Sequence, residues 1–321
     1  MIRVERAVGY LAVQDLGRPG HRAAGVPAGG AMDPVALRLA NLLVGNAEGD
    51  AALEWSVGEM VLRFDRATRV AVAGLGARVT LDDVPAPLWT TLAARRGSRL
   101  RLEPASGGRF CYVALDGGID VAPVLGSRAT YLPARLGGHE GRALRSGDAI
   151  PIGARKAGAR RAPPPGTTVP DTLRPSDAPG EPIRLVAAAQ EAVLDDAGSR
   201  LLLDSEHRVG AGDRMGYRLD GPAIPTRAAA ALPSEGACAG ALQLPGDGHA
   251  IVLMPDGPTV GGYPKPAVVA SVDLPRLAQR AAGAAVRFSL VDVAEAQWLR
   301  RELEERLDAA RRAVGSARSE R

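Results

Sequence analysis

Residues 60–73, MVLRFDRATRVAVA, decide the fold class. Met60–Phe64 and Arg69–Ala73 are short apolar runs with a polar break at Asp65–Thr68. Runs of this length, bounded by turn residues, are strands rather than helices. The same reading extends outward to Arg99–Leu102 and Phe110–Leu115. It resumes further along at Ile183–Ala187, Leu201–Asp204, Ile251–Met254 and Val268–Val272, with Gly, Pro and Asp-Gly between the runs. Many short strands with such punctuation predict a mainly β protein of barrel or sandwich type, with a few helices (α+β).

Two helices are marked. Within 33–45, DPVALRLANLLVG, Asp33 is an N-cap, Pro34 suits the first helical position and Gly45 closes the helix. It is apolar nearly all round, so it is expected to be buried. Its narrow polar stripe, Arg38 and Asn41, then needs partners. A second helix runs from about Asp292 to about Val314, with Leu299, Leu303, Leu307, Ala310 and Val314 on one stripe. That stripe either packs on its own domain or meets a partner, with Trp298 beside it.

The 321 residues carry a net charge of +4 and only 3% aromatic residues. Cores are therefore aliphatic, and a stacking platform for single-stranded nucleic acid is not expected. Residues 154–182 hold clustered Arg and Pro with little apolar content, which predicts a linker or exposed loop. The expected organisation is a first β domain over 1–153, the linker over 154–182, a second β domain over 183–291, and a C-terminal helix and tail over 292–321.

Lysine occurs only at 156 and 265. Neither is followed by Ser or Thr, so the chain has no standard phosphate-binding loop. No Met precedes either, so covalent biotin is not expected. Cys111 and Cys238 read as free thiols of a reducing compartment. Four histidines without ligand spacing predict no metal site. The N-terminus lacks a signal-peptide pattern and no apolar run approaches about 20 residues. A cytoplasmic protein without membrane contact is expected.

Chemistry is concentrated in loops. Residues 14–33, QDLGRPGHRAAGVPAGGAMD, carry Asp15 and Arg18 in a glycine-dense segment able to bring backbone near a ligand. Residues 125–148 carry Arg128, Arg135 and Arg142, whose guanidinium groups suit a carboxylate or phosphate, with His139 and Glu140 at a turn tip. In the second domain, GDRMGYRLDGP supplies Asp213, Arg214 and Tyr217, and GPTVGGYPKP supplies Gly261, Gly262, Tyr263 and Lys265. Plain hairpin turns would account for the same glycines. Ser234 has no assigned base, and no GxSxG pattern occurs, so serine hydrolase chemistry is unsupported.

The stretches VQDLGRPGHRAAGVPAGGAMDPVALRLANLLVGN, GGIDVAPVLGSRATYLPARLGGHEGRALRSGD, DRMGYRLDGP and LQLPGDGHAIVLMPDGPTVGGYPKPAVVASVDLPRLAQ resemble the allophanate hydrolase subunit 2 family. That family is also described as biotin-dependent carboxyltransferase-like, and it includes the C subunit of 5-oxoprolinase. The resemblance spans 1–153 and 183–291. It implies two cyclophilin-like β-barrels and a heteromeric enzyme, with a related subunit of B type and a third of A type. Such an enzyme opens 5-oxoproline to glutamate with ATP, taking ATP through the partner complex, and the lone chain is expected to be inactive. Two alternatives remain open. One is the carboxyltransferase half of a urea carboxylase-like enzyme. The other is a regulatory protein resembling the antagonist of a histidine-kinase inhibitor. The shared theme is activation of an amide or lactam carbonyl, which needs donors at the developing oxyanion. Motif position and side-chain chemistry make Asp15, Arg18, Arg128, Arg214, Tyr217, Gln243, Tyr263 and Lys265 the substrate-binding candidates. No catalytic residue is singled out.

Overall fold

The computed structural model describes residues 1–155, 162–175, 180–227 and 232–316. Among these residues it is mainly β with four α-helices, and the chain divides into two compact, barrel-like units. The first comprises Met1–Arg18, Gly29–Pro175 and Glu305–Arg321; the second comprises Pro19–Ala28 and Ser176–Glu304.

The first unit holds two sheets. One orders Ala149–Ile150, Ile2–Ala7, Met60–Phe64, Arg99–Pro104, Ala77–Leu81 and Val84–Pro85; the other orders Tyr10–Gln14, Ala52–Ser56, Phe110–Leu115, Thr68–Gly74 and Thr91–Ala94. Alternation fills the space with Met60, Leu62, Phe64, Val70, Val72, Leu100 and Leu102, while Arg63 turns to solvent. Phe110–Leu115 is buried on both faces. Cys111, Val113 and Leu115 enter that core, and helix α1 (Pro34–Val44) packs along Thr68–Gly74 and Phe110–Leu115.

α1 keeps the caps its sequence announces. The Asp33 carboxylate accepts from the Val35 and Ala36 N–H groups, and Gly45 closes the helix at φ 80°. The polar stripe is satisfied inside the unit. Arg38 pairs with Glu48 at 2.6 Å, and the Asn41 amide donates to the Glu48 and Asp50 carbonyls at 3.2 and 2.7 Å. The stripe is therefore a brace.

The second unit is an eight-stranded sheet, ordered Ala285–Val286, His207–Gly212, Gly216–Asp220, Ile251–Leu253, Ala241–Gln243, Ala267–Val269, Ile183–Ala187 and Phe288–Val291. Glu235–Gly236 and Val260–Gly261 form a separate two-stranded ribbon. Helix α2 (Asp196–Asp204) precedes the His207 strand, and α3 (Leu274–Ala278) follows the Ala267 strand.

Two expectations change, and for the last helix one of two alternatives holds over its second half. Leu201–Asp204 is the end of α2, not a strand. Asp195 accepts from the Gly198 N–H as its N-cap, and of the leucines in the run only Leu202 is fully buried. A three-leucine run is too short for its period to be read.

The described part of the expected linker, 162–175, belongs to the first unit. Thr91 N–H donates to the Thr167 carbonyl at 2.8 Å, Val169 N–H to the Trp89 carbonyl at 3.0 Å, and Val169 is buried. The backbone ladder and one buried valine anchor what composition reads as solvated. Residues 156–161 and 176–179 of that stretch lie outside the described residues.

Helix α4 (Val293–Ser316) buries Leu307, Ala310 and Val314, while Leu299 and Leu303 are half-buried and Trp298 is half-exposed. Its second half belongs to the first unit, where Arg311 pairs with Glu48 and Arg306 donates to the Arg174 carbonyl at 3.0 Å. That half of the apolar stripe is core. Residues 317–321 of the expected tail lie outside the described residues.

Candidate functional site

In the second unit, Tyr263-Pro264-Lys265-Pro266 leaves the Val260–Gly261 strand and threads back through the fold. Prolines on both sides of Lys265 fix φ and remove two N–H donors. The remaining backbone is pinned: Lys265 N–H donates to Gln190 Oε1 at 2.7 Å, Leu244 N–H to the Pro264 carbonyl at 2.9 Å and Ala188 N–H to the Pro266 carbonyl at 2.8 Å. This leaves the lysine side chain only 8% exposed, while Tyr263 stays open to solvent.

The ammonium group meets three oxygens. Nζ donates to the Gly261 carbonyl at 3.3 Å and the Tyr263 carbonyl at 3.1 Å, and it pairs with Glu235 Oε1 at 3.1 Å. Glu235 is held opposite Gly261 by the two-stranded ribbon, and its Oε1 also accepts from Gln190 Nε2 at 2.6 Å. A buried ammonium with three acceptors and one counter-charge is a satisfied cation.

Gln243 completes the cluster. It is buried, at the end of the Ala241–Gln243 strand. A Cβ on Gly261 would stand 2.8 Å from Gln243 Nε2, so glycine is what lets the amide lie over the backbone there. A Cβ on Gly262 would meet the Leu232 carbonyl at 2.8 Å. The GPTVGGYPKP glycines thus allow close approach to both neighbours.

The other candidates are engaged within their own units. Arg214 forks onto Asp256 at 2.8 and 3.0 Å, both side chains buried. The carboxylate it clamps is the chain's own. Tyr217 is buried and donates its hydroxyl to the Ala278 carbonyl at 2.9 Å. In the first unit, Asp15 accepts from Gly17 N–H at 2.7 Å, Ser127 Oγ–H at 2.6 Å and Arg128 N–H at 2.6 Å. Arg18 is buried and donates to the Val124 and Ala129 carbonyls. Arg128 donates its Nε–H to the Val121 carbonyl at 2.7 Å and pairs with Asp120 at 3.4 Å.

The turn at 137–142 is likewise closed, because Arg142 forks onto Asp148 at 2.7 and 2.9 Å and reaches Glu140 at 2.7 Å. Arg142 holds the Asp148 carboxyl below its usual range. Burial pushes the Cys111 thiol upward, which removes it as a nucleophile at neutral pH.

The family described as "Carboxyltransferase domain, subdomain A and B" matches residues 24–290. The chain belongs to this carboxyltransferase domain family. Among its relatives, the 5-oxoprolinase C subunit of Escherichia coli is 37% identical over 92% of this chain and 93% of its own length. The Haemophilus influenzae protein of the same name is 34% identical over 94% and 95%. Urea amidolyase of Lachancea kluyveri is 30% identical over 94% of this chain but 17% of its own length. Among solved structures, the K. lactis urea amidolyase superposes with a TM-score of 0.89 at 27% identity, over 96% of this chain and 20% of that one.

Within this carboxyltransferase-family chain, Gln243, Tyr263 and Lys265 are gathered at one ribbon, while Arg214 is paired with Asp256 and Tyr217 with the Ala278 carbonyl. Two residues of the cluster escape sequence reasoning. Glu235 and Gln190 reach Lys265 through strand pairing across 30 and 75 residues of chain. The only local signal is the polar PSEG turn beside Ser234.

Among the described residues, no group of three or more His, Cys, Asp or Glu gathers to hold a metal. No helix among them is long and apolar enough to cross a membrane.

Proposed function

We propose that this chain is the C subunit of a heteromeric, ATP-dependent 5-oxoprolinase, working with B-type and A-type subunits in the cytoplasm and inactive without them. The observation that carries the reading is the 37% identity to the Escherichia coli 5-oxoprolinase C subunit over nine-tenths of both chains. The urea amidolyases match over a small fraction of their length.

The reaction consumes 5-oxoproline, ATP and water and yields glutamate. Its difficult feature is a lactam carbonyl that resists attack. Donors aimed at the developing oxyanion lower that barrier. The Gln243 amide, over the Gly261 backbone, is our candidate for such a donor, and the Lys265 ammonium beside it suits the substrate carboxylate. Because the chain has no standard phosphate-binding loop, ATP is assigned to the partner complex.

Purified chain with ATP and 5-oxoproline should release no glutamate, and adding the partner subunits should start turnover. Robust turnover by the lone chain would contradict the proposal. A second reading, a carboxyltransferase half acting on urea, draws on the 0.89 TM-score to the urea amidolyase. It predicts that turnover requires a biotinylated carrier, which the first reading does not.

A further inference from the structure

The three oxygens around Lys265 are unequal. The Gly261 and Tyr263 carbonyls belong to backbone held by the ribbon and by buried Pro264 and Pro266. The third, Glu235 Oε1, ends a flexible side chain that is 51% exposed, on a strand of two residues. An ammonium has three N–H donors, and all three are matched here. A ligand oxygen can reach Nζ only by replacing one acceptor, and the solvated carboxylate is the one that can swing away. Its departure would strip a buried cation of its counter-charge, which is costly unless the newcomer is itself negative.

We infer that Glu235 is the resident anion of the Lys265 site, displaced when a small ligand brings its own carboxylate or phosphate oxygen, and that this exchange selects anionic over neutral ligands. Gln190 is the positioning residue: one side-chain amide holds Glu235 through Nε2 and the Lys265 backbone through Oε1. The inference rests on the reading of Lys265 as substrate-facing. Of the two candidate substrates, 5-oxoproline carries a carboxylate and urea carries no charge, so the exchange favours the first.

The test is calorimetric titration of the purified full chain at fixed low ionic strength, where screening is weakest. The probes are sodium 5-oxoproline, inorganic phosphate and urea, and the variants are Glu235→Gln, Glu235→Asp and Lys265→Met. Glu235→Gln removes the resident charge and should tighten binding of 5-oxoproline, of phosphate or of both roughly three- to fivefold, the scale of a partly exposed ion pair. Glu235→Asp shortens the reach and should give a smaller gain in the same direction. Lys265→Met should abolish anion binding, and urea should respond equally to all chains. Which anion gains identifies its source as a lactam carboxylate or a phosphate.

The inference is overturned if Glu235→Gln binds anions no tighter than the parent, if urea gains as much as the anions, or if no anion binds either chain. The titration uses no partner subunit, so its failure is separate from failure of the 5-oxoprolinase reading, which is decided by turnover in the assembled enzyme.

Discussion

Two glycine-rich loops of this chain look alike in sequence and behave differently in structure. In the first unit, Gly30 at φ 83° turns the backbone where a Cβ would lie 2.6 Å from the Gly17 nitrogen. That turn is tied to Asp15, whose carboxylate is consumed by three donors of the same unit. In the second unit, Gly261 does not need positive φ. It is glycine because the Gln243 amide lies over it, beside the Lys265 ammonium. The first loop ties its carboxylate to its own unit's backbone and Ser127; the second gathers the Lys265 ammonium, the Glu235 carboxylate and the Gln243 amide at one ribbon. Glycine density alone does not separate an architectural loop from a candidate ligand site. What separates them is where the nearby hydrogen bonds end.

The largest expected effect comes from breaking the second loop. Lys265→Met in the assembled enzyme should lower kcat/KM for 5-oxoproline by about 10²–10³, the scale of a lost buried charge-assisted contact to the substrate. Circular dichroism and subunit co-purification should remain those of the parent chain.

Asp15→Ala should do the opposite. It orphans the Ser127 hydroxyl and the Gly17 and Arg128 N–H groups, and each buried unsatisfied group costs about 1–3 kcal/mol. Urea unfolding should show a loss of a few kcal/mol. Per folded enzyme, kcat should hold within about twofold, a difference of under ~0.5 kcal/mol in the barrier.

Gly261→Ala sharpens the contrast. The added methyl meets the Gln243 amide at 2.8 Å, and a side-chain end can give way, so stability should hold. Displacing that donor should cost roughly 10- to 100-fold in kcat/KM. Unchanged kinetics would place Gln243 among the packing residues.

The smallest effect concerns pH. His207 is buried, with Nε2 3.2 Å from the Leu202 carbonyl, and desolvation lowers its pKa below the usual 6.5. The unfolded chain then binds this proton more readily than the folded one. Stability should be full above pH 6.5 and decline below it. His207→Gln should flatten that decline in melting curves taken between about pH 8 and pH 5.

Legibility in the sequence follows the range of the interactions. Met60–Phe64, Phe110–Leu115 and Ile183–Ala187 are strands with the bounds their composition marks, because alternation and turn residues act locally. α1 is equally readable, since Asp33 and Gly45 are its own caps. The helix at Leu201–Asp204 and the anchoring of 162–175 are hidden for a shared reason. An N-cap at Asp195 and a ladder to Trp89–Thr91 determine them, and neither lies within the run itself.

The candidate site divides the same way. Lys265 stands out by rarity and its flanking prolines. Nothing in the sequence says that Arg214 meets Asp256, 42 residues on, or that Glu235 and Gln190 meet Lys265.

The most direct measurement is a crystal structure of the assembled enzyme with 5-oxoproline bound. The expected result is a ligand oxygen about 2.7–3.2 Å from Lys265 Nζ, with Glu235 turned away. Ligand density beside Asp15, Arg18 and Arg128, with the Lys265–Glu235 pair intact, would contradict it.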